Sequence, residues 1–256
     1  MQRKNKASKT ETGGTGGDMP LTGHLTELRR RILVAAAVFF LLTAAALTQS
    51  EKLIAVFTDM GLKYGYRFVY LAPQELLLQQ FKVAALAGFL LSLPLILYEI
   101  YAFARPGLTG RESRILRVVL IAGLFFFAGG AFFAYTVTIP FMLNFLIRLS
   151  DDTIFAAQIS VENYLSFVLL IFTIFGFIFE MPLVSALLSR FGVLNPRMLK
   201  KARPFAVVFI FFLAAVITPP DVFSQILVAV PMILLYQLSI LVSKIFRTCN
   251  FPEETV

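Results

Sequence analysis

The chain has 256 residues, 58% of them hydrophobic, with 28 phenylalanines and a mean hydropathy of +0.81. Soluble domains are about 45–50% apolar, so a water-soluble core cannot hide this much apolar surface and lipid is the expected solvent. The net charge of +8 falls in short clusters between apolar runs, without the continuous stripe or aromatic platform that nucleic acid requires.

Residues 1–20 carry Lys, Thr and Gly-Gly pairs with no apolar period and read as a disordered tail. Leu21, Leu25, Leu28 and Ile32 then recur at helical spacing, an amphipathic approach to the membrane. The first span covers about 32–48. Arg29–Arg31 ahead of it and Ala44–Ala46 within it imitate a cleavable signal, but nothing downstream looks like a secreted domain. Residues 49–73 read as a mixed polar and aromatic loop. A second span follows over about 75–103, expected to break at Pro94. The 105–114 loop has Pro-Gly turn chemistry. A third span, about 116–146, contains Gly129-Gly130 and Pro140. The 148–160 loop carries Asp151 and Asp152. The fourth span, about 161–188, holds Glu180, which its distance from the Arg190 end places close to the membrane midplane. After the basic loop 190–203 come a fifth span, about 204–217, a Thr218-Pro-Pro-Asp221 turn, and a sixth span, about 222–242, expected to be interrupted at Pro231. The reading is all-α: a polytopic membrane domain over 21–247 with six transmembrane helices, followed by a tail at 248–256. Cys249 and His24, the one cysteine and one histidine, give no disulfide framework and too few soft ligands for a zinc site. Cys249 reads as a free thiol, and His24 as a cap or packing residue.

Of the 23 Lys and Arg, 18 lie in the N-terminal segment, the 105–117 and 190–203 loops and the C-terminal end; the alternate loops hold four. This asymmetry puts both termini in the cytoplasm. Lys82, the remaining cation, is expected to snorkel outward or pair with Glu75. The fifth span has only about 14 apolar residues, roughly 21 Å of helix, against a hydrocarbon core about 30 Å thick. Two readings stay open for short spans five and six: tight packing without consequence for lipid, or a thinned, polar-lined patch on the outer side.

Glu180 is the most telling single residue. A carboxyl group at the midplane costs at least about 2.5 kcal/mol and is a functional hypothesis by default. Two readings are open: a hydrogen-bonded tie between helices, or a polar foothold for a partner's transmembrane helix or an inserted signal hairpin.

The motifs permit a comparison. His24-Leu-Thr-Glu-Leu-Arg29 precedes span one, and Pro94-Leu-Ile-Leu-Tyr98 lies in span two. Phe103-Ala-Arg-Pro-Gly-Leu108 is followed by Glu112. Phe179-Glu-Met-Pro182 and Thr218-Pro-Pro-Asp-Val-Phe-Ser-Gln225 complete the set. In this order and spacing, over about residues 21–245, the chain resembles the TatC family, the multi-spanning subunit of the twin-arginine protein translocase. Two positions depart from the family pattern: Glu99 stands where Gln is common, and Gln237 where Glu is common.

The resemblance implies a receptor in the bacterial cytoplasmic (inner) membrane. It would read twin-arginine signal peptides of folded cargo at the cytoplasmic face and work with TatA- and TatB-type single-span proteins. It would associate with further copies of itself and draw on the proton-motive force, with no cofactor. It is not expected to be an enzyme: there is no Walker A motif and no His-Glu-x-x-His. A secondary transporter of a small solute is the alternative, since broken helices and a midplane carboxylate suit one; it calls for two repeated halves, which the sequence does not display.

Two arginines are best read by carboxylates, because a guanidinium fork makes paired charge-assisted hydrogen bonds. Glu27 and Glu112 are the membrane-proximal candidates and match the family's signal-binding acids, with Leu25, Phe103 and Pro106 beside them. Each has a plainer reading. Glu27 can pair with Arg31 four residues on, for about 0.2–0.5 kcal/mol; Glu112 can pair with Arg111 or Arg114; Phe103 and Pro106 can simply end a helix. On the membrane side the candidates are Glu180, Glu99, Asp221 and Gln225. Asp221 is placed to cap the sixth span, and Gln225, one turn later, to face the same polar path.

Overall fold

The computed structural model describes residues 21–150, 158–218 and 221–246. The tails expected at 1–20 and 248–256, with Cys249, lie outside these residues, as do Asp151, Asp152 and the two prolines of the 218–221 turn. Helix α1 (Leu21–Leu47) leads to α2 (Ser50–Lys63), a short strand β1 (Arg67–Val69) and the long α3 (Gln74–Ala104). A 3-10 turn at Arg105–Gly107 joins α3 to α4 (Gly110–Phe133), which passes through a π-helical stretch, Ala134–Thr138, into α5 (Ile139–Ser150). Strand β2 (Gln158–Ser160) precedes α6 (Val161–Phe179), α7 (Met181–Arg190), α8 (Pro196–Ile217) and α9 (Val222–Phe246).

Among the described residues five helical segments are long and apolar enough to cross a membrane: 25–47, 74–107, 110–148, 161–190 and 222–246. The remaining span, fifth in chain order, is α8, whose first two turns carry Arg197, Lys200, Lys201 and Arg203. The sequence places the start of this span at residue 204. The helix in fact starts at Pro196, where Asn195 Oδ1 accepts from the Arg197 N–H at 3.0 Å. Its apolar stretch is short, but the helix is not.

Lipid is written on the outside of the molecule. Phe205 is 79% exposed and Phe125 73%, a cost that water would not tolerate over so wide a surface. The inside is organised around α6. Tyr164, Leu165, Val168, Ile171 and Phe175 are all fully buried and share one face at helical spacing. Against that face α4 approaches closely: Gly130 lies against the Phe175 carbonyl, and Gly176 against the Phe127 ring. Small residues let helix backbones meet where lipid gives no hydrophobic drive. Helices α7 and α9 use serines in the same way, with Ser185, Ser189, Ser239 and Ser243 buried and a Ser189–Ser243 hydroxyl contact of 2.5 Å.

Four expectations change. Residues 49–73 are not merely a loop. They contain α2, whose Ile54, Met60 and Gly61 are buried, and β1, which pairs in parallel with β2 as Arg67–Gln158, Phe68–Ile159 and Val69–Ser160. Tyr164 Oη donates to the Phe57 carbonyl at 2.7 Å and Tyr66 Oη to the Leu143 carbonyl at 3.1 Å, fixing this cap to the spans. These ties are long-range, so no local periodicity announced them. The all-α reading holds apart from this three-residue pair.

Pro94 does not break α3, nor Pro231 α9. A proline removes one backbone donor, but in hydrocarbon every other backbone group still needs its helical partner. Pro140 acts differently: the ladder widens to a π-helix just before it, a known way to accommodate a local misfit. The fourth span is the one that breaks. Pro182 sits in the first turn of α7, and Glu180 is at once the C-cap of α6 and the N-cap of α7.

Candidate functional site

The basic end of the molecule is built from α1, the end of α3 and the start of α4. Glu27 and Arg31 are one turn apart on α1, and Glu99 faces them from α3. Arg31 Nε and Nη2 donate to Glu27 Oε1 at 2.9 and 2.5 Å, and Nη1 donates to Glu99 Oε2 at 2.8 Å. One guanidinium thus bridges two carboxylates, leaving one net negative charge. The side chains of Arg31 and Glu27 are each 24% exposed and that of Glu99 16%, so the cluster meets solvent. The plain reading of Glu27, a pair with Arg31, is present, and Glu99 extends it. Sequence reasoning saw the pair but not the bridge. The signal for the bridge was the carboxylate at 99 itself, which departs from the family pattern.

Glu112 lies on another element. It is residue N3 of α4, and its Oε2 accepts from the backbone N–H and the Oγ1 of Thr109 at 2.9 and 2.8 Å, while Thr109 Oγ1 accepts from the Glu112 N–H at 3.4 Å. This is a complete capping box. The expected partners Arg111 and Arg114 are not used among the described bonds; the backbone of Thr109 is nearer than any flexible cation. No described hydrogen bond or ion pair joins Glu112 to Glu27. Phe103 lines a 390 Å³ groove with Glu99 and Arg31, Leu25 is 65% exposed, and Pro106 stands exposed in the 3-10 turn between α3 and α4. Beside that turn runs a network unforeseen from sequence. Arg117 Nη2 donates to Tyr101 Oη at 2.7 Å, and Tyr101 and Ser113 share a hydroxyl bond of 2.9 Å. Its members sit on two helices, so spacing alone gave no sign of it.

Glu180 is half-buried at the α6–α7 joint. Its carboxylate packs over α4, where a methyl at Gly123 would stand 3.1 Å from Oε2, and it faces the backbone amide of Phe127. Asp221 Oδ1 accepts from the Ser224 N–H at 2.7 Å, the cap expected at the start of α9. Gln225 Nε2 donates to the Phe211 carbonyl at 2.9 Å, stitching α9 to α8. Gln237, with its amide oxygen turned toward Arg203, accepts from Nε and Nη2, each at 2.8 Å. The two departures from the family pattern therefore answer different arginines and do not compensate each other by contact. Lys82 does not pair with Glu75. It donates to Ser166 Oγ at 3.0 Å and lies 3.7 Å from Glu162. Glu75 is buried and accepts from Ser160 Oγ at 3.2 Å. Two turns along one helix separate Glu75 from Lys82, whereas α6 brings Glu162 alongside.

Six spans with carboxylates at the basic end and one at the α6–α7 joint define a polytopic membrane protein. The family model described as Sec-independent protein translocase protein (TatC) matches residues 23–231. The chain is 36% identical over 238 residues to a protein of that name from Desulforapulum autotrophicum, covering 92% of this chain and 88% of the relative. It is 35% identical over 230 residues to that of Aquifex aeolicus, covering 89% and 95%. A crystal structure of the twin-arginine translocase receptor TatC superposes with a TM-score of 0.78 at 34% identity, over 87% of this chain and 99% of that one. The chain belongs to the TatC family and is a component of a Sec-independent protein translocase. The small-solute transporter, the alternative left open by sequence, falls with that assignment.

Proposed function

We propose that this chain is the signal-peptide receptor of a twin-arginine translocase, set in the bacterial inner membrane with both termini and the α3–α4 turn in the cytoplasm. Glu27 and Glu112, with Leu25, Phe103 and Pro106, receive the paired arginines of a folded cargo's signal peptide. Glu180, Asp221, Gln225 and Glu99 contribute the polar positions used by the inserted signal or by TatA- and TatB-type partners. Transport itself draws on the proton-motive force.

The observation that carries the reading is the seat Glu27 already gives to a guanidinium. Its Oε1 takes both Nε and Nη2 of Arg31 while remaining partly exposed. An arriving arginine finds a carboxylate held ready for its fork and exchanges with Arg31, which keeps Glu99 as a second anchor. A partly exposed pair of this kind is worth about 1 kcal/mol or less, so the exchange is reversible. The experiment is site-specific crosslinking of a twin-arginine signal peptide to Glu27→Gln/Glu112→Gln in membranes. We expect a moderate loss for either change and a severe loss for both, with insertion of the protein unchanged; undiminished crosslinking in the double variant would end the proposal.

A further inference from the structure

We propose that the groove between the basic ends of α3 and α4 binds one anionic phospholipid, with the phosphate at its rim and an acyl chain along its floor. The groove has a volume of 620 Å³. On α3, Leu97 and Tyr101 are followed at four-residue spacing by Arg105, the cap that continues the helical backbone into the turn, and on α4 Arg117, Leu120 and Leu124 follow at spacings of three and four. Such spacing keeps each trio on one helix face. Both stripes run from a guanidinium at the basic end to leucine within the apolar span. That sequence of chemistry with depth is the profile of a phospholipid: charge at the headgroup level and hydrocarbon below it.

The rim is short of negative charge. Among the described residues, no ion pair involves Arg105 or Arg117. Arg31, which also lines the groove, is already held by Glu27 and Glu99. Arg117 is held in place without being neutralised. Its Nη2 donates to Tyr101 Oη, and its guanidinium carbon lies 5.1 Å from the centre of the Tyr101 ring. This leaves Nε and Nη1 without a described acceptor in the protein. A phosphodiester supplies what the two arginines lack, in the planar geometry their forks prefer. Basic pockets between transmembrane helices are suited to anionic headgroups. The leucine floor selects a lipid over a soluble phosphate, because an acyl chain fills a groove whose lining otherwise loses its dispersion contacts. This proposal does not depend on how the signal peptide is read.

The test is native mass spectrometry of the full chain in detergent, with phosphatidylglycerol and phosphatidylcholine of identical chains offered at equal concentration, and inorganic phosphate as a third arm. Each arginine near a headgroup should favour the anionic lipid about fivefold, and the two together about thirtyfold. Arg105→Gln/Arg117→Gln should bring the ratio close to one. Arg117 also bonds Tyr101, so Arg105→Gln alone serves as the second variant. Arg105 is exposed in the turn, and its loss should lower the ratio about fivefold in a protein that folds as before. A photoreactive acyl chain on phosphatidylglycerol should label Leu120 or Leu124. Equal retention of the two lipids, a wild-type ratio in the double variant, or labelling only elsewhere would overturn the site. Displacement of the lipid by millimolar inorganic phosphate would make it a soluble-anion site and overturn the lipid assignment.

Discussion

Arg31 shows how much turns on a single side chain. It is held by Glu27 on its own helix and by Glu99 across the α1–α3 seam. In Glu99→Gln, Arg31 loses a carboxylate, and an incoming arginine has to displace it from Glu27 with only an amide as its alternative seat. We expect signal-peptide crosslinking to fall about fivefold, the equivalent of about 1 kcal/mol for a partly exposed pair; crosslinking that rises or stays level would remove Glu99 from the exchange. Glu180 is the second residue-scale case. Glu180→Ala should spare insertion and signal binding and impair partner recruitment or transport, with Glu180→Gln milder because the amide still hydrogen-bonds. The structure adds a partner test. In Gly123→Ala the new methyl stands 3.1 Å from Oε2, so the carboxylate must shift by a few tenths of an ångström. A transport defect in Gly123→Ala that Glu180→Ala does not worsen ties the two positions to one role. Full transport in Glu180→Ala would leave the carboxyl as a helix tie only. Glu27, Glu112 and Glu180 were all legible as isolated carboxylates in a hydrophobic chain. So was Arg31 as the partner of Glu27; Glu99 on Arg31, Thr109 on Glu112 and Gly123 under Glu180 were not, because they enter through tertiary contact or a cap that no apolar period records.

At the scale of elements, the start of α4 joins stability to the site. Thr109 and Glu112 cap it reciprocally, so the carboxylate proposed to read an arginine also holds a helix terminus. Thr109→Ala removes one half of the box, a loss of about 1 kcal/mol in typical helices, and frees Glu112 to move. We expect a small drop in thermal midpoint in detergent together with weaker signal-peptide crosslinking. A destabilised protein that crosslinks as wild type would show that the cap has no part in positioning Glu112. The prolines make the opposite point. Sequence pattern marks Pro94 and Pro231 as interruptions and passes over Pro182, yet α3 and α9 run through their prolines while the Glu180–Pro182 segment parts two helices. A proline deletes one donor wherever it stands; whether the axis breaks is decided by what the neighbouring helices pack against it.

At the scale of the whole molecule, the arrangement of charge predicts sidedness. Reporter fusions after residues 60, 155 and 220 should read outside, and those after 110 and 197 inside. The ground is the concentration of 18 of 23 cations on one set of segments; a reversed or five-span pattern would sink the assignment. The fifth span bears most on this. Helix α8 is 22 residues long, but its basic first turns belong at the interface, so only its apolar part lies in hydrocarbon. Thinning of the bilayer around α8 and α9 is compatible with that geometry.

What the sequence determined by itself was the solvent, the number and order of the spans, and which carboxylates stand out. These follow from composition and from runs of apolar residues, properties that each stretch of chain carries without reference to any other. Tertiary structure decided the rest: that residues 50–69 fold back as α2 and β1 onto α5 and α6, that Glu99 rather than solvent completes Arg31, and that Lys82 finds Glu162 rather than Glu75. Each of these depends on which helix lies beside which. In lipid that choice is made by small residues, serines and polar pairs scattered over distant segments, so it becomes visible only when the helices are packed.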